Sequence, residues 1–243
     1  MLASDHKLPT AGGAEKRAYV RAMFAAIAPT YDRLNRILSL RMDLRWRRYA
    51  VDRLGWERVP DGIYLDLCAG TLDFAAILAR RPHFRGRVVG ADFVRPMLEL
   101  GKHKADRLVP IAADALALPF RDAVFDGAMV GWGLRNLIDL DTGLAEVARV
   151  LKPGARLTIL EVATPAWEPL RGLYLFYFER VLPRVGQLVS RHRTAYHWLP
   201  ESTRVFPRPA ELAGRMIAAG FDQVGYRLFF GGVTALHVGT RAG

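Results

Sequence analysis

Ile63-Tyr-Leu-Asp-Leu-Cys-Ala-Gly-Thr-Leu-Asp-Phe-Ala-Ala-Ile-Leu-Ala-Arg80 is the stretch around which the rest of the chain is organised. Its first part is a short apolar run, as expected of a strand buried on both faces. Ala69-Gly70-Thr71 then makes a tight turn of small residues, and Phe74, Ile77 and Leu78 recur at helical spacing. A strand, a small-residue turn and a helix bring backbone N–H groups and a positive helix end to one place, where a ligand's polar atoms can approach closely. Taken alone, the stretch is equally well an ordinary strand–helix corner of an α/β protein.

Downstream the chain alternates. Val88 to Asp92 reads as a second strand and Pro96 to Lys104 as its helix, with Pro near the first turn. Val109 to Ala112 and Phe125 to Val130 read as further strands. Asp139 to Val150 is a helix ended by Lys152-Pro153-Gly154, and Arg156 to Val162 a fifth strand. Pro209 to Ala219 is a helix closed by Gly220. Val224 to Phe230 and Val233 to Val238 fall on either side of Gly231-Gly232 as a hairpin. Strands alternating with helices, then a terminal hairpin, predict an α/β fold with a mostly parallel, doubly wound sheet and an antiparallel edge.

Upstream, Met1 to Ala14 has no period and is expected to fray, leaving 15–243 as a single domain. Val20, Phe24 and Ile27 mark one face of a first helix. Thr30 is expected to cap a second that carries Leu34, Ile37 and Leu38, and Asp43 a third that runs through Trp46 and Tyr49 to Leu54. These Arg-studded helices, residues 15–55, form a cap over the carboxyl edge of the sheet. A second appendage, Trp167 to Leu199, breaks the alternation. It holds Leu173-Tyr-Leu-Phe-Tyr-Phe178 and Val181-Leu182, then Arg184, Arg191 and Arg193. Such a segment is too apolar to stand alone in water and too charged and short to span a bilayer. It covers an apolar pocket as a lid, rests against a membrane, pairs two chains as a homodimer, or packs into the core.

Composition narrows the classes. Of 243 residues 51% are hydrophobic, enough for a sizeable core. One cysteine excludes an intramolecular disulfide framework and fits a reducing, cytoplasmic setting. No apolar run reaches the length of a membrane span, and the first residues lack the apolar core of an export signal. The net charge of +11, mostly arginine, suits nucleic acid, an anionic membrane surface, or merely an arginine-rich background. No nucleic-acid motif with base-stacking aromatics accompanies it, so no nucleic-acid partner is expected. The six histidines show no zinc spacing, and no metal site is expected. His237 alternates with apolar residues as a core group would, and His197 in the second appendage is read as a surface or packed residue. No Gly-x-Ser-x-Gly elbow occurs.

In an open α/β sheet, ligands sit at the carboxyl ends of the strands, near the point where strand order reverses. Asp92 ends the second strand about 20 residues beyond the turn, the separation at which a carboxylate takes both hydroxyls of a ribose. Asp114 follows the third strand, where it can accept from an adenine amino group. Asp66 and Asp73 flank the turn. Any one of these is an ordinary cap or loop residue, but several at strand ends, in register with one turn, point to a nucleoside.

With those residues in place the chain resembles the class I S-adenosylmethionine-dependent methyltransferases. More narrowly, it resembles the C-methyltransferases of ubiquinone and menaquinone biosynthesis. The likeness rests on Trp132-Gly-Leu-Arg-Asn-Leu-Ile-Asp-Leu-Asp141, Arg149-Val-Leu-Lys-Pro-Gly-Ala-Arg-Leu-Thr-Ile-Leu-Glu161 and Met23-Phe-Ala-Ala-Ile-Ala-Pro-Thr-Tyr-Asp-Arg-Leu-Asn35. Leu199-Pro-Glu-Ser202, Phe206-Pro207, Ala219-Gly-Phe221 and Gly231-Gly-Val-Thr-Ala-Leu-His-Val-Gly239 extend it. The resemblance implies a seven-stranded Rossmann-like methyltransferase whose cofactor is S-adenosyl-L-methionine. Its substrate is the ring of a polyprenylated quinol, demethylmenaquinol first among them, met peripherally at the inner face of the membrane. By position it implies cofactor contacts at Asp66, Gly70, Thr71, Asp73, Asp92, Phe93, Asp114, Ala115 and Gly131, the last where many members carry Ser. It implies that Tyr31, Arg135 and Asn136 face the quinol.

Leu72 departs from the pattern, since the family carries Gly there to let backbone lie close to the methionine part of the cofactor. A leucine either turns into the core or crowds the site, and cofactor binding is expected to survive. The chemistry implied is in-line transfer to a ring carbon made nucleophilic by loss of a hydroxyl proton. Arg135 would stabilise the developing oxyanion, with Tyr31 or a water relaying the proton; a plain ion pair of Arg135 with Asp139 or Asp141 is the alternative. The competing functions are a methyltransferase of this fold for soluble phenols or polyketides, a non-catalytic binding module, and a nucleic-acid methyltransferase.

Overall fold

The computed structural model describes Pro9, Thr10, residues 13–181, Arg184 and residues 193–243. The tail read as frayed falls almost wholly outside the described residues, as do Leu182 and Arg191 and the side chains of Arg193 and His197. Strands β1 (Ile63–Leu67), β2 (Arg87–Asp92), β3 (Leu108–Ala112), β4 (Phe125–Gly131), β5 (Leu151–Val162), β6 (Phe221–Phe229) and β7 (Thr234–Arg241) form one sheet in the order β3-β2-β1-β4-β5-β7-β6. The first five pair in parallel, and β7 runs antiparallel to both of its neighbours.

Strand alternation sends successive side chains to opposite faces. Leu65 and Leu67 therefore join Val89, Leu157 and Ile159 on one face, covered by α6 (Leu140–Val150) through Leu144 and Val147 and by α9 (Pro209–Ala218) through Leu212 and Met216. Tyr64 joins Met129 and Leu160 on the other. There α3 (Met42–Leu54) lays down Ala50, Val51 and Leu54, and α4 (Asp73–Ala79) adds Phe74 and Leu78. The helix α5 (Arg95–Gly101) follows β2 on that side, with Leu98 buried in the same cluster. Strand order reverses between β1 and β4, so their carboxyl ends open the crevice in which ligands of such sheets bind.

Three local readings change. The hairpin does form the antiparallel edge, but with its second strand inside: β7 inserts between β5 and β6, because it carries the buried run Thr234-Ala-Leu-His237 that a central position requires. Lys152-Pro-Gly154 does not separate helix from strand. β5 already pairs Leu151 with Phe125, then shifts register to Arg156 opposite Gly127, so the proline sits in a bulge where it owes the ladder no N–H. Neither expected cap forms. The Thr30 hydroxyl donates back to the Ile27 carbonyl, and Asp43 lies inside α3, where its carboxylate accepts from Ser39 and Arg36.

Above the crevice, α1 (Gly13–Ile27), α2 (Tyr31–Leu38) and α8 (Arg193–Val205) share a separate cluster of Val20, Met23, Ile27, Leu34 and Trp198. Beside them, α7 (Glu168–Phe176) buries Tyr174 and leaves Trp167, Leu173 and Phe176 exposed.

Leu72 turns into the core. It adopts φ +63°, the left-handed region that costs a non-glycine residue roughly 1–2 kcal/mol. Its side chain is fully buried against β2. The receiving position is Gly90, where an added Cβ would stand 2.0 Å from Leu72 Cδ2. Glycine in the middle of β2 is thus the socket that keeps the leucine out of the ligand crevice. Gly90→Ala should destabilise the wild type by about 1–3 kcal/mol through overpacking. The same change should cost far less once Leu72→Ala has emptied the socket. A denaturant double-mutant cycle with no coupling between the two would disprove the fit.

Candidate active site

The crevice is built from the strand ends. Gly70, at φ +52°, turns the chain after β1, and its N–H donates to Asp92 Oδ2 at 2.8 Å. The other oxygen, Oδ1, accepts from Val94 N at 2.8 Å. Asp92 is thereby locked between the turn after β1 and the start of α5. Burial raises its pKa, and the two N–H donors oppose that rise. Each carboxylate oxygen retains lone pairs for further donors. Asp92, Phe93, Cys68, Asn136 and Leu137 are common to two joined lobes of the crevice. One lobe continues to Asp114, Ala115 and Arg17, the other to Gly70, Gly131, Trp132 and Tyr31.

α1 closes over the first lobe. Arg17 Nη2 meets Asp114 Oδ2 at 2.7 Å, and the buried Lys16 donates to the Leu137 carbonyl at 2.6 Å. Trp198 of α8 reaches the same loop, its indole N–H donating to Asn136 Oδ1 at 2.8 Å. Burial lifts the Cys68 thiol well above its ordinary range, which keeps it in the protonated, less reactive form.

The second lobe shares Phe24, Tyr31 and Trp132 with a cavity of about 310 Å³. That cavity is lined mainly by apolar and aromatic groups, among them Met23, Ile27, Trp46, Tyr174, Tyr177 and Trp198, with Arg135 and Arg47 as its cations. Arg135 meets neither Asp139 nor Asp141. Asp139 caps α6 through Thr142 N at 3.0 Å, and Arg215 holds Asp141 at 3.1 Å. Instead, Arg135 Nη1 donates to Glu161 Oε1 at 2.5 Å and to the Trp132 carbonyl at 2.7 Å. Glu161 ends β5 and is 1% exposed, so this is a buried, hydrogen-bonded ion pair at the cavity wall. Tyr31 stands where the two spaces join. Burial raises its phenol above the usual range despite Arg47 and Arg135 nearby, so it remains protonated at neutral pH.

The structure therefore brings Gly70, Asp92, Phe93, Asp114, Ala115 and Gly131 to one crevice. Four of the other expected residues are turned to different tasks. Asp66 is almost fully buried and accepts from Ala75 N at 2.9 Å, bracing the turn from below, and burial pushes its pKa up to about 7. Thr71 is buried and donates to Asp32. Asp73 is held by Lys104 and Arg36; its burial would raise its pKa, but the Arg47, Lys104 and Arg36 cations keep it below the usual carboxylate range. Asn136 borders the crevice rather than the larger cavity, because its amide is tied to Trp198 and to the Trp132 carbonyl.

Sequence reasoning passed over two residues that left a signal. Glu161 is a strand-end carboxylate like Asp92. Arg47 lies on the apolar stripe of α3 with Ala50, Val51 and Leu54, an unusual place for a cation.

Among proteins of known function, the chain is 48% identical to the demethylmenaquinone methyltransferase of Thermus thermophilus, over 90% of this chain and all of that one. It is 41% identical to the ubiquinone/menaquinone biosynthesis C-methyltransferase UbiE of a Geobacter species, over 93% of this chain and 98% of the other. Among solved structures, a SAM-dependent methyltransferase from Thermotoga maritima superposes with a TM-score of 0.64 at 20% identity, covering 90% of this chain and 98% of its own, which shows the shared fold. The model of the ubiE/COQ5 methyltransferase family matches residues 13–241, and the chain belongs to that family.

Proposed function

We propose that this enzyme transfers the methyl group of S-adenosylmethionine to a ring carbon of a polyprenylated quinol, converting demethylmenaquinol to menaquinol. The observation that carries this reading is the juxtaposition of two spaces. A crevice with a strand-end carboxylate for a ribose opens, past Tyr31 and Trp132, into an apolar cavity walled by the Arg135–Glu161 pair. Bound there, S-adenosylmethionine supplies an activated sulfonium methyl. Asp92 takes the ribose hydroxyls, and Asp114 and Ala115 flank the adenine. Tyr31 and Trp132 line up the ring at the junction. Arg135, fixed by Glu161, faces the developing quinol oxyanion with a charge whose position needs no reorganisation. Neutral Tyr31 takes the quinol hydroxyl proton only as it gives its own phenol proton to water, and so relays the proton to solvent.

A ring and the first part of its tail fill about 310 Å³, so the remaining tail must leave through a rim. That rim is apolar. Leu40, Leu173 and Phe176 are exposed next in the chain to the lining residues Ser39, Tyr174 and Tyr177, Phe230 is exposed against the lining residue Trp46, and Trp167 is exposed at the start of α7. Tyr177 bonded to the Leu38 carbonyl, Leu170 against Gly231, and Trp46 against Phe230 tie its segments together. The whole chain carries a net charge of +11, which favours an anionic lipid surface over a neutral one. Among the described residues no helix is long and apolar enough to cross a membrane, so the contact proposed is peripheral.

A panel of prenylated and tail-less acceptors tests the reading, with labelled S-adenosylmethionine as donor. Transfer should be found to prenylated demethylmenaquinol and be at least tenfold slower without the tail. Transfer to tail-less phenols alone would overturn it. Partition should also favour vesicles containing anionic lipid over neutral ones, and equal partition would remove the lipid contact.

A further inference from the structure

Among the described residues, Arg47 lacks the partner that its surroundings demand. The residue is 6% exposed, and its guanidinium lies between the rings of Phe74 at 5.1 Å and Trp132 at 4.7 Å. Among the described residues it donates no hydrogen bond and joins no ion pair, and its buried Nε is unpartnered. The carboxylates whose charge it feels are already engaged, Asp66 with Ala75 N and Asp73 with Lys104 and Arg36. Two aromatic faces fix the plane of a guanidinium and ease its charge, but satisfy none of its five N–H donors. A buried cation of this kind is normally matched by an anion. Arg135, its neighbour in the cavity wall, already has Glu161.

Position selects the anion. Arg47 Nη1 lies 3.0 Å from where a side chain on Gly131 would begin, at the end of β4. The nucleoside residues Asp92 and Asp114 stand at the ends of β2 and β3, on the other side of β1. A ligand whose adenosine occupies those strands must run its remaining arm along Gly70 and Gly131, toward Arg47. The quinol is neutral until its proton leaves, whereas an α-carboxylate is ionised at every pH near neutrality. A standing cation without a counter-ion fits the standing charge.

We propose that Arg47 pairs with the α-carboxylate of S-adenosylmethionine, and so restricts the crevice to ligands that carry the amino-acid end. The inference rests on the reading of the crevice as the S-adenosylmethionine site. A side chain at Gly131 would meet the Phe74 ring at 2.6 Å and the Arg47 guanidinium at 3.0 Å, so this strand end is packed directly against the stacked cation.

Calorimetry on the full chain tests it, using S-adenosylhomocysteine and methylthioadenosine, which keeps the nucleoside thioether but lacks the carboxylate. Arg47→Gln should weaken S-adenosylhomocysteine by about 10- to 100-fold, the loss of a charge-assisted pair. Methylthioadenosine should change by less than about twofold, which also reports that the variant is folded. Arg47→Lys, which keeps the charge but not the planar fork, should fall between. It carries the same comparison if the glutamine variant does not fold. Equal losses for both ligands would overturn the proposal. So would unchanged S-adenosylhomocysteine affinity with a raised quinol KM and a shifted pH–rate profile, since Arg47 would then serve the quinol oxygen. Failure of the wild type to bind either ligand would overturn the cofactor reading itself, a result distinct from an Arg47 that is indifferent to the carboxylate.

Discussion

Arg135→Ala should lower kcat by about 10²- to 10³-fold, the usual loss when a fixed donor to a developing oxyanion is removed. Its affinity for S-adenosylhomocysteine should stay within about threefold of wild type, because the guanidinium lines the larger cavity and none of the nucleoside lobe. The variant also strands Glu161 as a buried, unpaired carboxylate, a defect that costs about 3–5 kcal/mol when one partner of a buried pair is lost. Lower turnover alone would therefore be ambiguous. Adding Glu161→Gln to Arg135→Ala separates the two causes. The double variant should regain most of the lost stability in a denaturant titration and none of the lost turnover. Recovery of turnover along with stability would show that the pair only holds the loop after β4 in place.

The second large effect concerns Asp92. Its oxygens each accept one backbone N–H, from Gly70 and from Val94, so the carboxylate shapes the turn and keeps lone pairs for the ribose proposed to bind there. Asp92→Asn leaves one acceptor oxygen, so one of those N–H groups loses its partner and the charge assistance disappears. S-adenosylhomocysteine affinity should fall by on the order of 10²-fold by calorimetry, in line with about 1.5–3 kcal/mol for a charged hydrogen bond plus an unpaired amide. Burial raises the pKa of Asp92, so its carboxylate protonates at a higher pH than an exposed one. Ligand affinity should accordingly weaken on acidification before ordinary surface carboxylates titrate. An unchanged dissociation constant in the variant would place the ribose elsewhere.

The expected residues that the fold brings to one crevice are those in which backbone chemistry and residue type agree. Gly70 is needed where φ is positive, and Asp92 and Asp114 follow strands that alternation makes visible. The residues whose side chains are engaged elsewhere share one cause. Asp66, Thr71 and Asp73 lie in the right turn, but their side chains are taken by Ala75 N, Asp32, and the Lys104–Arg36 pair. Those partners, apart from Ala75, come from up to 39 positions away. One-dimensional spacing does not report which of several adjacent polar groups will find a partner first. The expected caps fail for a nearer reason: Thr30 and Asp43 have the right side chains, but groups three to seven residues upstream, the Ile27 carbonyl for Thr30 and Ser39 and Arg36 for Asp43, take them first.

By itself the sequence determined the alternation of strands and helices and the small-residue turn. It also determined the order in which carboxylates arrive at strand ends. These follow from local stereochemistry and from the periodic burial of apolar residues. Only the tertiary structure decided that Leu72 is swallowed by the gap at Gly90, that Arg135 answers to Glu161, and that Arg47 meets aromatic rings and, among the described residues, no anion. Each of those outcomes depends on packing between segments far apart in the chain, where volume and charge are settled by whichever group arrives from another element.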